Sequence, residues 1–270
     1  MKLNVNGHSG CKLELVKDRV RKIASNKNYS DRLFLQYKKQ LKFKNKNISV
    51  PKIYDSGKDN DCFWFEMQMI PFKTFDDFML RSDKKILDNV VKKVLSFIKD
   101  NITGVKVVNR NILIRKYEVT KNKIFIKHGM DINYLNNFFY NLSEKIEIPA
   151  GYCHGDLTFS NMLFDNLDIV FIDFLDTFLD TPLQDIVKIR QDTKHYWSLN
   201  LVNKIQDRVK IKQSLHYMDN LIENEFSKYE FYKKYYKHFQ VLNLLRILPY
   251  SENKKLIDNL IKEIRLLCLL

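Results

Sequence analysis

Glycine, proline, tryptophan and cysteine are all scarce in this chain, with 7, 5, 2 and 4 copies in 270 residues, and each scarcity excludes something. The cysteines, Cys11, Cys62, Cys153 and Cys268, form neither a Cys-x-x-Cys pair nor Cys/His metal spacing. A disulfide framework and a zinc module therefore have no support, and reduced thiols in a cytoplasm are expected. Cys153 reads as a buried strand cysteine. No apolar run approaches the length of a bilayer, and no apolar leader with a cleavage site opens the chain, so a soluble, intracellular protein is expected. There is no Gly/Ser or Pro-rich linker, no repeat and no low-complexity tract to mark off independent domains. A Walker A phosphate loop is absent, and so is any glutamate between Glu14 and Glu66.

What is present reads as globular: 45% of residues are hydrophobic and 13% aromatic, in a chain long enough for one large domain or two lobes. The formal charge of +14 raises a nucleic-acid reading. Against it, Lys and Arg are spread along the whole length and no nucleic-acid motif occurs. Richness in Lys, Asn, Ile, Phe and Tyr with little Ala or Gly reads as the imprint of an AT-rich genome. The positive field still favours nucleotides and an anionic acceptor.

The most informative stretch runs from Tyr152 through His154-Gly155-Asp156 to Phe164, followed by Ile169-Val170-Phe171-Ile172-Asp173-Phe174. Asn161 to Phe164 and Ile169 to Phe174 are short β-favouring runs separated by Asp165-Asn166-Leu167-Asp168, a connection of hairpin length. Pairing Phe164 with Ile169 places Asn161 opposite Ile172. Asn161 and Asp173 then meet at the open end of the hairpin, beside the loop that carries Asp156. Two carboxylates and an amide converge there, as hard oxygen ligands suited to Mg²⁺ and phosphate. Taken singly, each also fits a turn or a strand-end cap. Their order fits phosphoryl transfer: Asp156 to accept the proton of an attacking hydroxyl, Asn161 on one metal, Asp173 bridging metals.

His154-Gly155-Asp156 with Asn161, then Ile172-Asp173-Phe174, resembles the aminoglycoside phosphotransferase and choline kinase family of small-molecule kinases. The resemblance implies a protein-kinase-like α+β fold with two lobes: residues 1–70 as an antiparallel β lobe with one helix that binds nucleotide, and residues 71–270 as a mainly helical lobe for catalysis and acceptor binding. It implies ATP or GTP with Mg²⁺, catalysis by Asp156, and Asn161 and Asp173 as metal ligands. The polar segment Asn6 to Cys11 is similar to the family's nucleotide loop, making Gly7, Ser9 and Gly10 candidate phosphate contacts; Gly brings the backbone close to an anion. Lys22, in the third strand, takes the place of the phosphate-binding lysine. Gln68, Met69 and Ile70, ending the fifth strand before Pro71, stand where the hinge receives adenine. Asp185 corresponds to an aspartate that holds the catalytic loop, and His154 is expected to brace that loop.

One departure stands out. The helix expected from Ser30, an N-cap type, through Leu33, Leu35, Tyr37 and Leu41 contains no glutamate to pair with Lys22. Gln36 or Gln40 faces the right way for a neutral hydrogen bond, weaker than a carboxylate's. Further on, Ile86 to Ile98 predicts an amphipathic helix, and so does Asp131 to Lys145. Between them Asn111 to Tyr117 and Lys123 to Lys127 lean toward β, within a segment, 103–130, that has no assigned role. Asp176 fits a position near the metals or a helix cap. Tyr196 to Leu270 is helical by pattern, including Phe226 to Leu248; its Tyr229 to Tyr236 run suits the core and rim of a bundle. Net charge argues for a neutral or anionic hydroxyl acceptor, a sugar or sugar derivative, over a polycation; an amino alcohol stays possible, because a local aromatic and acidic pocket can bind a cation within a basic protein. Two rival readings remain, a nucleotide-binding pseudokinase acting as an interaction module and a basic nucleic-acid-binding protein.

Overall fold

The computed structural model describes residues 5–6, 10–201 and 207–269. They form two compact units, one drawn from residues 1–97 with 154–177, the other from 98–153 with 178–270. The expected boundary at residue 70 falls inside the first of these. The mixed α+β architecture is the expected one, with an antiparallel sheet and one helix first and a mainly helical part after it.

In the first unit, β1 (Val5–Asn6), β2 (Cys11–Val16), β3 (Arg19–Ala24), β4 (Ile53–Asp59) and β5 (Cys62–Gln68) make an antiparallel sheet in the order β1-β2-β3-β5-β4. The turn from β4 to β5 places Asn60 and Asp61 at φ 47° and 63°, the paired left-handed geometry that suits the twist of a two-residue hairpin. α1 (Lys27–Leu41) packs on the sheet through Leu33, into a core with Cys11, Ala24, Phe63 and Phe65. Asn26, not Ser30, is its N-cap, accepting from the Tyr29 N–H at 3.0 Å. Ser30 lies one turn inside, where its Oγ accepts from the Phe63 N–H at 2.8 Å and ties the helix to β5.

After α2 (Phe75–Arg81) and α3 (Lys84–Asp100), the second of which follows the expected periodicity, the chain leaves this unit and returns to it with a hairpin, β8 (Met162–Asp165) and β9 (Asp168–Phe171). Its register is the expected one, Phe164 opposite Ile169, and the Ile172 N–H donates to the Asn161 carbonyl at 3.0 Å. Lys73 bonds to both backbone groups of Phe164, and Ser49 accepts from Phe171 and donates to Ile169. Both hairpin edges are thereby paired. Phe78 stacks on Phe164 at 4.1 Å, and Phe43 meets Phe97, Phe171 and Phe174 at 5.5–6.2 Å between ring centroids.

The second unit begins with the ribbon β6 (Ile102–Asn109) and β7 (Lys145–Gly151). Between its strands run α4 (Asn111–His128), a 3₁₀ turn at Asn133–Leu135, and α5 (Asn136–Tyr140). Two expectations fail here. The β-leaning pieces at Asn111–Tyr117 and Lys123–Lys127 form one helix, because Leu113, Tyr117, Thr120 and Ile124 make a buried stripe at helical spacing; burial overrides the β preference of Ile, Val and Tyr. The helix expected over 131–145 stops at Tyr140. Lys145 instead opens a strand in which Ile146 and Ile148 are buried, an alternating pattern short enough to escape a helical reading. Cys153 is buried as expected, but it lies just beyond β7, with its Sγ–H donating to Asp180 at 3.5 Å.

α6 (Pro182–Thr193) starts at Thr181, whose Oγ accepts from Leu183; proline at the first helical position forfeits no hydrogen bond. α7 (Trp197–Leu201), α8 (Arg208–Phe226), α9 (Glu230–Leu245) and α10 (Lys254–Leu269) follow. The helix expected from Phe226 to Leu248 is broken at Ser227–Tyr229 and ends at Leu245, while Tyr232 and Tyr236 are buried as core residues. Arg190 of α6, fully surrounded, donates twice to Asp219 of α8, at 2.9 and 2.8 Å, and also bonds Glu223 and the Tyr232 hydroxyl. Removing Asp219 leaves the buried guanidinium with only the partly exposed Glu223 as counter-charge. Asp219→Ala is expected to lower the urea unfolding free energy by about 3–5 kcal/mol. Arg190→Met combined with Asp219→Leu should cost much less than that, and an equal loss in the double variant would show the pair is not the reason.

Candidate active site

The loop before β8 is set by two residues. Gly155 sits at φ +91°, where a Cβ would lie 2.4 Å from the Leu175 carbonyl oxygen, so only glycine fits. His154, with no exposed surface, accepts from the Asp156 N–H at Nδ1 (3.2 Å), which leaves the proton on Nε2 to donate to the Ile172 carbonyl at 2.9 Å. Burial pushes its pKa down to about 4, against the opposing pull of Asp156. A neutral histidine with both nitrogens engaged in backbone hydrogen bonds braces the loop, as expected.

Asp156 is half-buried. Asn161, in the 3₁₀ turn Phe159–Asn161, donates its Nδ2 both to Asp156 Oδ2 and to the Asp156 carbonyl, each at 2.9 Å. The carboxylate and the amide are thus locked together. Asp173 follows β9 with φ 62°, a left-handed backbone uncommon for aspartate. Its Oδ1 accepts from Lys22, and Lys22 also donates to Gln36 Oε1 at 3.3 Å. Burial works against the Lys22 charge, but Asp173 more than offsets it and the pKa stands above the ordinary lysine value. Gln36 therefore takes the place left by the missing glutamate, whereas Gln40 donates to the Pro51 carbonyl at 2.8 Å. Lys22, Gln36, Asn161 and Asp173 line one cavity of about 120 Å³ together with Cys11 and Phe65.

The remaining candidates are more dispersed. Gly7 and Ser9 lie outside the described residues; Gly10 is a bend before β2 whose carbonyl accepts from Ser25 at 2.9 Å. Gln68 ends β5 with its N–H on the Lys52 carbonyl at 2.8 Å, and Met69 is exposed. Asp185 is buried in the first turn of α6. Sequence reasoning missed two grips on the segment after Asp173. Arg32 donates to both carboxylate oxygens of Asp176, at 3.0 and 3.1 Å, and Lys39 donates to the Leu175 carbonyl at 2.9 Å. The signal was there: Arg32, Gln36 and Lys39 recur at helical spacing on one face of α1.

Residues 131–208 match the model of a family described as "Phosphotransferase enzyme family". That span includes His154, Asp156, Asn161 and Asp173. Similar solved structures include a thermostable mutant of aminoglycoside phosphotransferase APH(4)-Ia in ternary complex with ADP and hygromycin B, with 13% identity, 100% of this chain and 92% of that one covered, and a TM-score of 0.61. The chain has the aminoglycoside phosphotransferase fold. Two further structures with this fold are the streptomycin-ATP-APH(2'')-IIa ternary complex (12% identity, 97% and 90% covered, TM-score 0.56) and ADP-bound APH(2'')-Ib (14%, 98% and 90%, 0.55). Among curated proteins no sequence match is found. Fold and matched segment agree with the resemblance read from the sequence, and together they support a small-molecule kinase with a hydroxyl acceptor.

Within an aminoglycoside phosphotransferase fold the buried histidine makes stability depend on pH. An unfolded chain protonates His154 near its ordinary pKa of 6.5, the folded one only near 4, so between these values the unfolded state binds more protons and stability falls as pH drops. His238, also held near 4 by burial, acts in the same direction. Urea unfolding between pH 7 and 4.5 should show this loss, and His154→Gln should make it shallower; an unchanged slope would mean His154 is not held neutral. Gly155→Ala is expected to destabilise by about 2–4 kcal/mol through backbone strain and the clash at Leu175, read by the same titration.

Proposed function

We propose that this protein is a small-molecule kinase that transfers the γ-phosphoryl group of ATP, or GTP, to a hydroxyl. The observation that carries the proposal is the Asp156–Asn161 pair at 2.9 Å, just ahead of a hairpin after which comes Asp173, itself paired with Lys22. Asp156, with its rotamer fixed by Asn161, orients the acceptor hydroxyl and takes its proton. The amide nitrogen of Asn161 is committed to Asp156, so its Oδ1 is the atom it offers a cation. Asn161 and Asp173 are the residues to hold Mg²⁺, which when bound neutralises charge developing on the phosphates. Among the described residues no group of three or more His, Cys, Asp or Glu could hold a metal. Such a donor set suits an ion that takes one or two protein oxygens and completes its shell with phosphate and water. Lys22 contacts the phosphates, the loop of Gly7, Ser9 and Gly10 covers them, and Gln68, Met69 and Ile70 border the base. Residues 1–70 then serve as the nucleotide lobe and 71–270 as the catalytic and acceptor lobe.

Hygromycin B and streptomycin, the compounds in the APH(4)-Ia and APH(2'')-IIa complexes, are aminoglycosides. For this chain, a net charge of +14 favours a neutral or anionic sugar or sugar derivative of cell-surface or intermediary metabolism, met in the cytoplasm, while an amino alcohol would need a local aromatic and acidic pocket. A second reading, a nucleotide-binding pseudokinase, draws on the helix that supplies Gln36 where a glutamate would pair with Lys22.

The test is acceptor-dependent ADP release with Mg²⁺ and ATP over sugars, sugar phosphates, amino alcohols and aminoglycosides. Turnover with one class, reduced about a thousandfold by Asp156→Asn and abolished by Asp173→Ala, is the expected result. Binding of Mg·ATP without turnover on any acceptor favours the pseudokinase, and turnover restricted to aminoglycosides overturns the acceptor class.

A further inference from the structure

The side chain that replaces the missing glutamate does not act alone. Gln36 has one carbonyl oxygen and one amide nitrogen. Its Oε1 accepts from Lys22 at 3.3 Å, while its Nε2 donates to the Tyr29 hydroxyl at 3.1 Å and to Asp176 Oδ1 at 3.4 Å. Asp176 is itself fixed by the two-pronged donation of Arg32. An amide has a direction: with Nε2 turned toward a carboxylate, Oε1 has to face the ammonium. Swapping the two ends would set the NH₂ group against Lys22 and the carbonyl oxygen against Asp176, two repulsive contacts in place of two attractive ones.

We infer that Asp176, aligned by Arg32 and acting through Gln36, is a second carboxylate that positions Lys22, beside its direct partner Asp173. The charge normally carried by the helix is here carried by the segment after Asp173, and the helix contributes the cation. Coupling is strengthened because a hydrogen-bonded amide polarised at one end accepts more strongly at the other. The relay also bears on the proposed reaction, on which its catalytic meaning rests: were Asp173 to serve as a ligand of Mg²⁺, Gln36 would be the remaining contact that holds Lys22 in place. Asp176, Arg32 and Gln36 are positioning residues, since the Lys22 ammonium is the group given to phosphate.

A cycle of four proteins tests this: wild type, Asp176→Asn, Gln36→Glu and the double variant, with matched melting temperatures checked by calorimetry. In the ligand-free protein the rate of Lys22 acylation by a water-soluble activated ester, followed by peptide mass spectrometry, reports its tethering. Asp176→Asn should raise that rate about fivefold in the wild-type background. In the Gln36→Glu background the same change should leave the rate unchanged or lower it, because a direct carboxylate no longer needs the relay and is freed from a like charge nearby. Affinity for Mg·AMP-PNP should follow the same sign reversal. A residue that merely stabilised the fold would give equal effects in both backgrounds, and that outcome, or no effect of Asp176→Asn on Lys22 in either, overturns the relay. If the acylation cycle holds while the wild type binds no Mg·AMP-PNP, the relay stands and it is the kinase reading that falls.

Discussion

The first unit depends on cations of the N-terminal sheet and α1 holding the returning chain between Asp173 and Asp176. Lys22 takes the Asp173 carboxylate, Lys39 the Leu175 carbonyl and Arg32 the Asp176 carboxylate. Each contact alone is modest, and the Arg32–Asp176 pair is partly open to solvent, where an ion pair contributes little. The Lys22 pair differs because the lysine is buried. An ammonium withdrawn from water must be matched by a carboxylate and hydrogen bonds, or it deprotonates. Asp173 therefore keeps Lys22 charged.

Aromatic packing makes that electrostatic arrangement specific. Phe174, next to Asp173, lies 4.3 Å from the His154 ring and 5.5 Å from Phe43. The His154 imidazole in turn holds Ile172 and Asp156 through opposite nitrogens. One neutral ring thus sets the spacing between the loop that carries Asp156 and the strand end that carries Asp173. Offset and edge-on ring contacts fix orientation as well as distance, which a purely polar loop would leave to solvent.

How much of this was legible beforehand varied with the range of the interaction. The hairpin register followed from alternation and turn length alone, and helical spacing plus the want of a glutamate narrowed the partner of Lys22 to Gln36 or Gln40. The Asp176 link escaped because it joins residues 144 positions apart: helical spacing sets Arg32 on the same face of α1 as Gln36 and Lys39, but it does not name the partner. α4 was misread for a related reason: Ile, Val and Tyr carry a weak intrinsic preference for strands, and the buried stripe of Leu113, Tyr117, Thr120 and Ile124 outweighs it only once there is something to pack against. α1 starts ahead of the expected Ser30 because Asn26 and Ser30 are both good caps, and the choice between them is made by Phe63, on a strand still to come.

The discontinuity of the first unit bears on how the protein is made. Its sheet and α1 are complete by residue 68, yet the hairpin that pairs with Ser49 and Lys73, and the residues that neutralise Lys22, emerge from the ribosome only after residues 98–153. Until then the nascent chain carries an uncompensated lysine and an unfilled seat for Phe164 and Phe171. Closing so long a loop costs little extra free energy but much time. The N-terminal part is thus synthesised first but finished only once residue 177 has emerged, and it is this interval that a chaperone would have to cover.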